Sequence, residues 1–352
     1  MTYSANSLLR TPQIRIDGKW VGKGITPFII AEISGNHCGK LKTALELILA
    51  AKEAGANAVK FQAYTADTIT MKSDREEFQI KDGPWAGQTL HELYKKTETP
   101  FEWFPSLFET ARKLKIIPIA SVFDYTSVDM LRKLNCPAYK IASFEFTDIP
   151  LIRYAGQVGR PLILSTGMAT MDEVNRVDDA INLAVPRAFL HCVSEYPTPI
   201  GEANLSRMTD LEKLCVPVGL SDHTLDSTTA IAATAMGAAI IEKHICNNDK
   251  CEDASFSLLP IEFREMVRCV RGAYSALQRP SGSEPQERNL LYRRSLYVVA
   301  NVSEGEQVSM TNIRSIRPGQ GLDPGLLDAV LGRTFCRSVQ SGSPLRWEDL
   351  SN

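Results

Sequence analysis

At 352 residues the chain is long enough to bury one large core plus a small appendage, and 44% hydrophobic with 23% charged residues is the make-up of an ordinary globular protein. A formal charge of -2 with no basic run leaves nothing to track a phosphate backbone, so nucleic acid is excluded as an expected partner; no apolar run approaches a membrane span. Met1 to Lys23 has neither the apolar core of a secretory leader nor an Arg-rich amphipathic pattern, which makes a cytoplasmic location the expectation. Eight cysteines are scattered without framework spacing and are expected to be reduced and mostly buried. Cys246 and Cys251 lie near His244, but no second close pair completes a tetrahedral zinc set.

In chain order, Arg15 to Val21 alternates like a strand around Asp17-Gly18, which predicts a small hairpin before the main body, placed to close the bottom of a barrel. Phe28 to Glu32 is the first strongly apolar strand, followed by the turn Ser34-Gly-Asn-His37 and a helix from Leu41 to Ala54 that Gly55 ends. Asn57 to Gln62 is the next strand. The interval from Ala63 to Phe101, with Trp85 and Tyr94, leaves the carboxyl end of that strand and is a candidate lid. Alternation then becomes regular: helix 105–114, strand 116–120, helix 127–134, strand 138–141, helix 150–156, strand 161–164, helix 172–183 and strand 187–191. A helix near 205–214 leads to the strand ending before Ser221, then Thr228 to Gly237 as an Ala-rich helix, the strand Ile240 to His244 and a long helix from Ile261 to Leu277. Strict alternation of eight strands with eight helices predicts an α/β fold, a closed (β/α)8 TIM barrel, over residues 1–280. The Pro/Ser/Gly-rich run Arg279 to Pro285 marks a linker, taken as 281–290, and residues 291–352 read as a small, mostly β module.

Active sites of parallel barrels form at the carboxyl ends of the strands. Polar residues stand there on almost every strand: Glu32; Lys60 and Gln62; Lys140, Ser143 and Glu145; Ser165 and Thr166; His191, Ser194 and Tyr196; Ser221 and His223; Glu242 and His244. His223 and His244 end neighbouring strands, so two imidazoles face one pocket and suit manganese, iron, cobalt or zinc; the bland alternative is two polar residues satisfied in loops. Two lysines converging among hydroxyls describe a small anion, phosphate or carboxylate, and Ser165-Thr-Gly167 before a helix adds backbone amides. Glu32 is either the ion-pair partner of Lys60 or Lys140, or an acid/base group near a metal. Asp253 either bonds a substrate hydroxyl or caps a turn, and the stiff Tyr196-Pro-Thr-Pro199 holds a ring at the rim.

These residues carry a resemblance. Phe28-Ile-Ile-Ala-Glu-Ile-Ser-Gly-Asn-His37, Val59-Lys-Phe-Gln62, Tyr139-Lys-Ile-Ala-Ser-Phe-Glu145, Leu164-Ser-Thr-Gly-Met168, Gly219-Leu-Ser-Asp-His-Thr224 and Ile241-Glu-Lys-His244 resemble the sialic acid synthase family in order and spacing. Arg294-Ser-Leu296 and Arg317-Pro-Gly-Gln-Gly321 resemble that family's antifreeze-like (SAF, β-clip) domain. Trp85 to Tyr94, Thr99 to Trp103 and Phe144 to Pro150 are most similar to its pseudaminic acid synthase branch.

The resemblance implies condensation of phosphoenolpyruvate with the open-chain aldehyde of an N-acetylated amino sugar, 2,4-diacetamido-2,4,6-trideoxy-L-altrose in that branch, with phosphate released by C-O cleavage. It implies that His223 and His244 bind a divalent metal, Mn2+ with Mg2+ or Co2+ as alternatives, and act in catalysis with Glu32. Lys60, Lys140, Ser143, Ser165 and Ser221 would hold phosphoenolpyruvate; Gln62, Glu145, Tyr196 and Asp253 would face the sugar, with Ser194 standing where the family usually has Asn. Arg317 would reach from the tail of one subunit into its partner's barrel in a domain-swapped homodimer. The alternatives are an N-acetylneuraminate or legionaminic acid synthase using another N-acetylated hexose, and a catalytically silent carbohydrate-binding protein.

Overall fold

Alternation along each strand decides what this barrel holds inside, and the computed structural model, which describes residues 12–278 and 287–351, shows how. A hairpin of β1 (Gln13–Ile16) and β2 (Lys19–Gly22) comes first. The strands β3 (Phe28–Glu32), β4 (Ala58–Ala63), β5 (Ile117–Val122), β6 (Tyr139–Ile141), β7 (Leu162–Ser165), β8 (Arg187–Cys192), β9 (Val218–Asp222) and β10 (Ile240–His244) then form a closed parallel barrel in which β10 pairs with β3.

Around them run α1 (Leu41–Ala54), α2 (Ala66–Ile69), α3 (Leu90–Thr97), α4 (Phe104–Lys113), α5 (Tyr125–Lys133), α6 (Ile149–Gln157), α7 (Met171–Ala180), α8 (Arg207–Leu211), α9 (Thr228–Ala235) and α10 (Pro260–Leu277). Their ends follow local chemistry. Asp124 and Thr170 accept the backbone N–H groups of Ser127 and Glu173 at the starts of α5 and α7, and Gly55, at φ +93°, terminates α1 in a left-handed conformation. Most strand and helix bounds lie within three residues of those expected; the helix expected over 205–214 is instead α8 followed by one 3-10 turn ending at Leu214. The interval 63–101 is a long excursion containing α2 and α3, with an isolated antiparallel bridge between Gln79 and Thr89. Among the described residues no helix is long and apolar enough to cross a membrane.

Side chains two apart on a strand share a face. The inner apolar layer therefore takes Ile30, Ala58, Ile119, Ala138, Ile163, Leu190 and Ile240, closed by Ile14, Ile16 and Val21 of the hairpin at the amino end. The next inward positions, two residues on, are Glu32, Lys60, Ser121, Lys140, Ser165, Cys192 and Glu242, all buried. Gly219 on β9 leaves room in this packing: a Cβ there would run into the Ile240 carbonyl and come within 2.8 Å of Leu190. The outward positions pack under the helices in a larger core that includes Phe61, Phe104, Phe108, Phe189 and Phe263.

The chain divides into two compact units at Gln278. Much of the expected 281–290 linker, residues 281–286, lies outside the described residues, and Glu287–Leu290 forms the short α11. The second unit, which includes α11, has its own core of Leu296, Val298, Val308, Ile313, Phe335 and Leu345 around antiparallel β11 (Ser295–Val298) and β12 (Ile313–Ile316), followed by a short α12 (Leu327–Val330).

One expectation is overturned. Cys38 and Cys251, 213 residues apart, form a disulfide with their Cα atoms 5.2 Å apart, whereas the reading from spacing alone had every cysteine reduced. Closing β10 onto β3 sets the turn after β3 beside the loop after β10, a proximity that spacing along the chain does not carry. The remaining six cysteines are free, Cys246 among them.

Candidate active site

Four charges meet at the inward polar layer. Lys60 Nζ lies 3.0 Å from both Glu32 Oε2 and Glu242 Oε1, and Lys140 Nζ lies 3.7 Å from Glu242 Oε1. Their hydroxyl partners come from adjoining strands: Lys60 donates to Ser121 Oγ (3.2 Å), Lys140 to Ser165 Oγ (2.6 Å), and Ser221 Oγ to Glu242 Oε1 (3.2 Å).

Burial pushes the four groups apart electrostatically. It raises the Glu32 carboxyl to about 7 against the pull of Lys60, and it lowers the Lys140 ammonium to about 8 against that of Glu242. Burial also opposes ionisation of Glu242, but Lys140 and Lys60 outweigh it and hold that carboxyl at about 2. Lys60 stays charged because Glu242 and Glu32 together overcome its desolvation. A neutral-to-acidic Glu32 next to a firmly ionised Glu242 is a division of labour between two carboxyls.

Beyond this network the barrel opens into a cavity of about 540 Å3 whose lining includes both lysines, Glu242, Ser121, Ser143, Ser165, Ser194 and Ser221. Ser143 Oγ accepts the Gly167 N–H at 3.1 Å. A larger residue at Gly167 would force two hydroxyls aside, since a Cβ would collide with Ser194 Oγ and come within 2.8 Å of Ser143 Oγ. The Ser-Thr-Gly turn thus brings backbone up to two hydroxyls at the end of the cavity where the lysines sit.

His223 and His244 also line the cavity, with ring centroids 5.5 Å apart. Hydrogen counting fixes their tautomers. His223 Nδ1 is 2.8 Å from the Val193 carbonyl, which only accepts, so Nδ1 carries the proton. His244 Nδ1 is 3.2 Å from Ser34 Oγ, and that hydroxyl gives its own proton to Asp253 Oδ2 at 2.5 Å, so His244 Nδ1–H must donate to it. Burial keeps His244 far below the usual histidine range and therefore neutral, leaving its Nε2 with a bare lone pair, whereas the adjacent Cys192 outweighs burial and holds His223 above that range. With Nδ1 engaged in each ring, the two Nε2 atoms in their neutral forms suit a divalent cation. Among the described residues no three or more His, Cys, Asp or Glu side chains cluster as a metal cage, so the chain would supply this pair and leave other positions to oxygen ligands.

The far side of the cavity is apolar and aromatic. The 63–101 excursion contributes Tyr64, Ile69, Ile80, Trp85, Leu93 and Tyr94. The Tyr196 ring packs 4.2 Å from His223 and 4.9 Å from Phe256, and Trp85 closes over it at 6.0 Å. Gln62 and Glu145 line the same space, and burial raises Glu145 to about 7. Asp253 is buried, held by Ser34 and the Gly35 N–H (2.9 Å).

All but two of the site residues expected from the sequence line this one cavity. Glu32 sits just behind it, its Oε1 accepting the Ser34 N–H at 2.9 Å, and Arg317 lies exposed in the second unit after β12. His191, outward-facing between Leu190 and Cys192, turns its Nε2 onto the Ala203 carbonyl (2.7 Å). The sequence assigned no role to Glu242, Cys192, Ser34 or Phe256. For the first two the signal was present, because they share the inward phase with His244 and Leu190. Burial opposes ionisation of Cys192, but the adjacent His223 outweighs it and brings the thiol to about 7.

Comparison with known proteins agrees with this geometry. Residues 47–281 match the NeuB family model and residues 293–351 the SAF domain model. A pseudaminic acid synthase of Campylobacter jejuni subsp. jejuni serotype O:2 is 40% identical over 329 residues, covering 92% of this chain and 96% of the relative. One from Helicobacter pylori is 38% identical over 338 residues, covering 92% and 98%. The crystal structure of an N-acetylneuraminic acid synthetase from Leptospira borgpetersenii serovar Hardjo-bovis superposes with a TM-score of 0.71 at 31% identity, over 80% of this chain and 94% of that one.

Proposed function

The chain belongs to the NeuB family, and from that premise we propose that it condenses phosphoenolpyruvate with 2,4-diacetamido-2,4,6-trideoxy-L-altrose to give a nonulosonic acid and inorganic phosphate. It is a pseudaminic acid synthase-like, phosphoenolpyruvate-dependent enzyme. What carries the assignment is the meeting of two buried lysines, two carboxyls of split acidity and two imidazoles oriented through Nδ1 at one end of one cavity.

Lys60 and Lys140, with Ser143, Ser165, Ser194 and Ser221, hold the phosphate and carboxylate of phosphoenolpyruvate, their buried ammonium groups offsetting its charge. His223 and His244 would hold a divalent cation, which we assign as manganese and which would supply Lewis-acid polarisation of the acceptor's aldehyde oxygen. Carbon 3 of phosphoenolpyruvate then attacks the aldehyde carbon, water adds at carbon 2, and the C-O bond to phosphate breaks. Glu32, with a pKa of about 7 and next to Lys60, is the group suited to take the proton from the attacking water.

The apolar wall of Ile69, Ile80, Trp85 and Leu93 favours this acceptor over N-acetylmannosamine. A trideoxy sugar with two acetamido groups presents methyls where a more hydroxylated hexose would bury unpaired O–H groups. Gln62, Glu145, Tyr196 and Asp253 face its polar atoms. In a domain-swapped cytoplasmic homodimer, Arg317 of one subunit binds an acetamido oxygen in its partner's barrel.

Phosphate release from phosphoenolpyruvate is measured on chelator-stripped protein with added Mn2+ and each of the three sugars in competition. Turnover with 2,4-diacetamido-2,4,6-trideoxy-L-altrose in preference to the others is expected; no turnover with any of them, metal bound, refutes the assignment. Mixing Arg317→Ala with Glu32→Gln protein should restore part of the activity, and no rescue refutes the swapped arrangement.

A further inference from the structure

Cys251, Glu252 and Asp253 are consecutive, and together they are tied to two parts of the cavity's mouth, the turn after β3 and the 63–101 excursion. Cys251 is bonded to Cys38, the residue that ends the buried turn Ser34–His37. The Glu252 carbonyl accepts the Trp85 indole N–H at 3.1 Å, and the Glu252 carboxylate lies 4.0 Å from Lys96 on α3. Asp253 takes its two hydrogen bonds from Ser34 and Gly35. One short loop therefore links the turn after β3, the aromatic wall of the 63–101 excursion and the proton partner of Ser34. Of these ties only the disulfide is covalent. The ligands for the anionic end come from β4, β6, β7, β8 and β9 and the turns that follow them, away from this loop.

We propose that Cys38–Cys251 is a redox modification site that sets the affinity of the acceptor end of the cavity. This assignment rests on the aromatic side being the acceptor site. The reductant is a low-molecular-weight thiol of the glutathione class. Its thiolate attacks the sulfur of Cys38, the less buried of the two, the S–S bond breaks and a mixed disulfide forms. A second thiol molecule displaces Cys38, giving the small disulfide; two electrons and two protons have then moved to the Cys38 and Cys251 sulfurs. Freed of its covalent tie, the 250–253 segment fluctuates, Trp85 loses a fixed carbonyl partner and the acceptor wall loosens, while the lysine end is unchanged.

Protein purified without reductant is equilibrated in glutathione buffers of graded reduced-to-oxidised ratio, then trapped with iodoacetamide for peptide mapping. A parallel sample is nicked briefly with trypsin, which cuts after the exposed Lys250. A linked Cys38–Cys251 peptide is expected in the oxidised arm and two alkylated cysteines in the reduced arm. Reduction should speed cleavage at Lys250 by about tenfold or more, the mark of a local opening, and raise the acceptor KM by about tenfold, the equivalent of one lost hydrogen bond, with the phosphoenolpyruvate KM within about twofold. Cys38→Ser should behave as the reduced protein in every buffer. Free thiols at both positions in the oxidised arm, or equal cleavage and equal acceptor KM in both arms, overturn the proposal. Redox-dependent cleavage with no turnover in either arm overturns the acceptor assignment instead and leaves the modification site standing.

Discussion

Removing the Ser34 hydroxyl tests the tautomer argument directly. Ser34 Oγ is at once the acceptor for His244 Nδ1–H (3.2 Å) and the donor to Asp253 Oδ2 (2.5 Å). Without it the imidazole loses what fixes its proton on Nδ1 and its ring orientation, and Asp253 keeps only the Gly35 N–H. Partners of this kind behind metal-binding histidines are worth about 10- to 100-fold in metal affinity, or about 1.4–2.8 kcal/mol. Ser34 has φ +43°, a left-handed backbone that strains any residue with a Cβ, so Ser34→Ala and Ser34→Gly separate the two contributions. Both should weaken Mn2+ binding equally, whereas Ser34→Gly also sheds about 1 kcal/mol of backbone strain that Ser34→Ala retains. Calorimetric titration of chelator-stripped protein at fixed pH gives the dissociation constant, and chemical denaturation gives the stability difference. A Kd within twofold of the parent in both variants would refute the hydrogen count.

Lys140 is lowered to about 8 chiefly by burial, so its ammonium, needed for the substrate anion, is lost as pH rises through that value. The kcat/KM for phosphoenolpyruvate should fall above pH ~8, with Lys140→Arg moving that limb upward, and a flat profile to pH ~10 would contradict it. Glu32 carries the opposite linkage. Its folded pKa of about 7 lies above the ordinary carboxyl value of 4.5, so the folded state holds the proton longer and loses stability as pH rises through that window. Glu32→Gln should flatten that part of the pH–stability curve, and an unchanged slope would argue that Glu32 is already ionised. Gly167→Ala forces Ser143 and Ser194 aside and should raise the phosphoenolpyruvate KM by about tenfold or more with a small change in melting temperature; unchanged KM would remove that turn from the anion site. Asp178→Asn breaks the buried pair with Arg187 (2.6 Å) on the barrel's outer side and should cost about 3 kcal/mol of stability with both KM values unchanged, measured by denaturation and steady-state kinetics.

The primary structure determined the barrel and most of its mouth. A period of two on every strand, with Ile, Ala and Leu one layer down and Lys, Ser, Glu and His above, specifies which residues point inward and at which end they are polar. That is why Lys60, Lys140, Ser165, Ser221, His223 and His244 could be placed together from spacing and motif alone. What the period leaves open is azimuth: it gives the height of a side chain inside the barrel and not its neighbour around the ring. Tertiary closure of β10 against β3 decided the rest. It seats Glu242 between two lysines, hands the His244 proton to Ser34, lets Asp253 and Trp85 meet one short loop, and joins two cysteines that sequence distance had kept apart. These contacts pair residues more than 20, and up to 219, positions apart, and distance along the chain carries no information about them until the ring is shut.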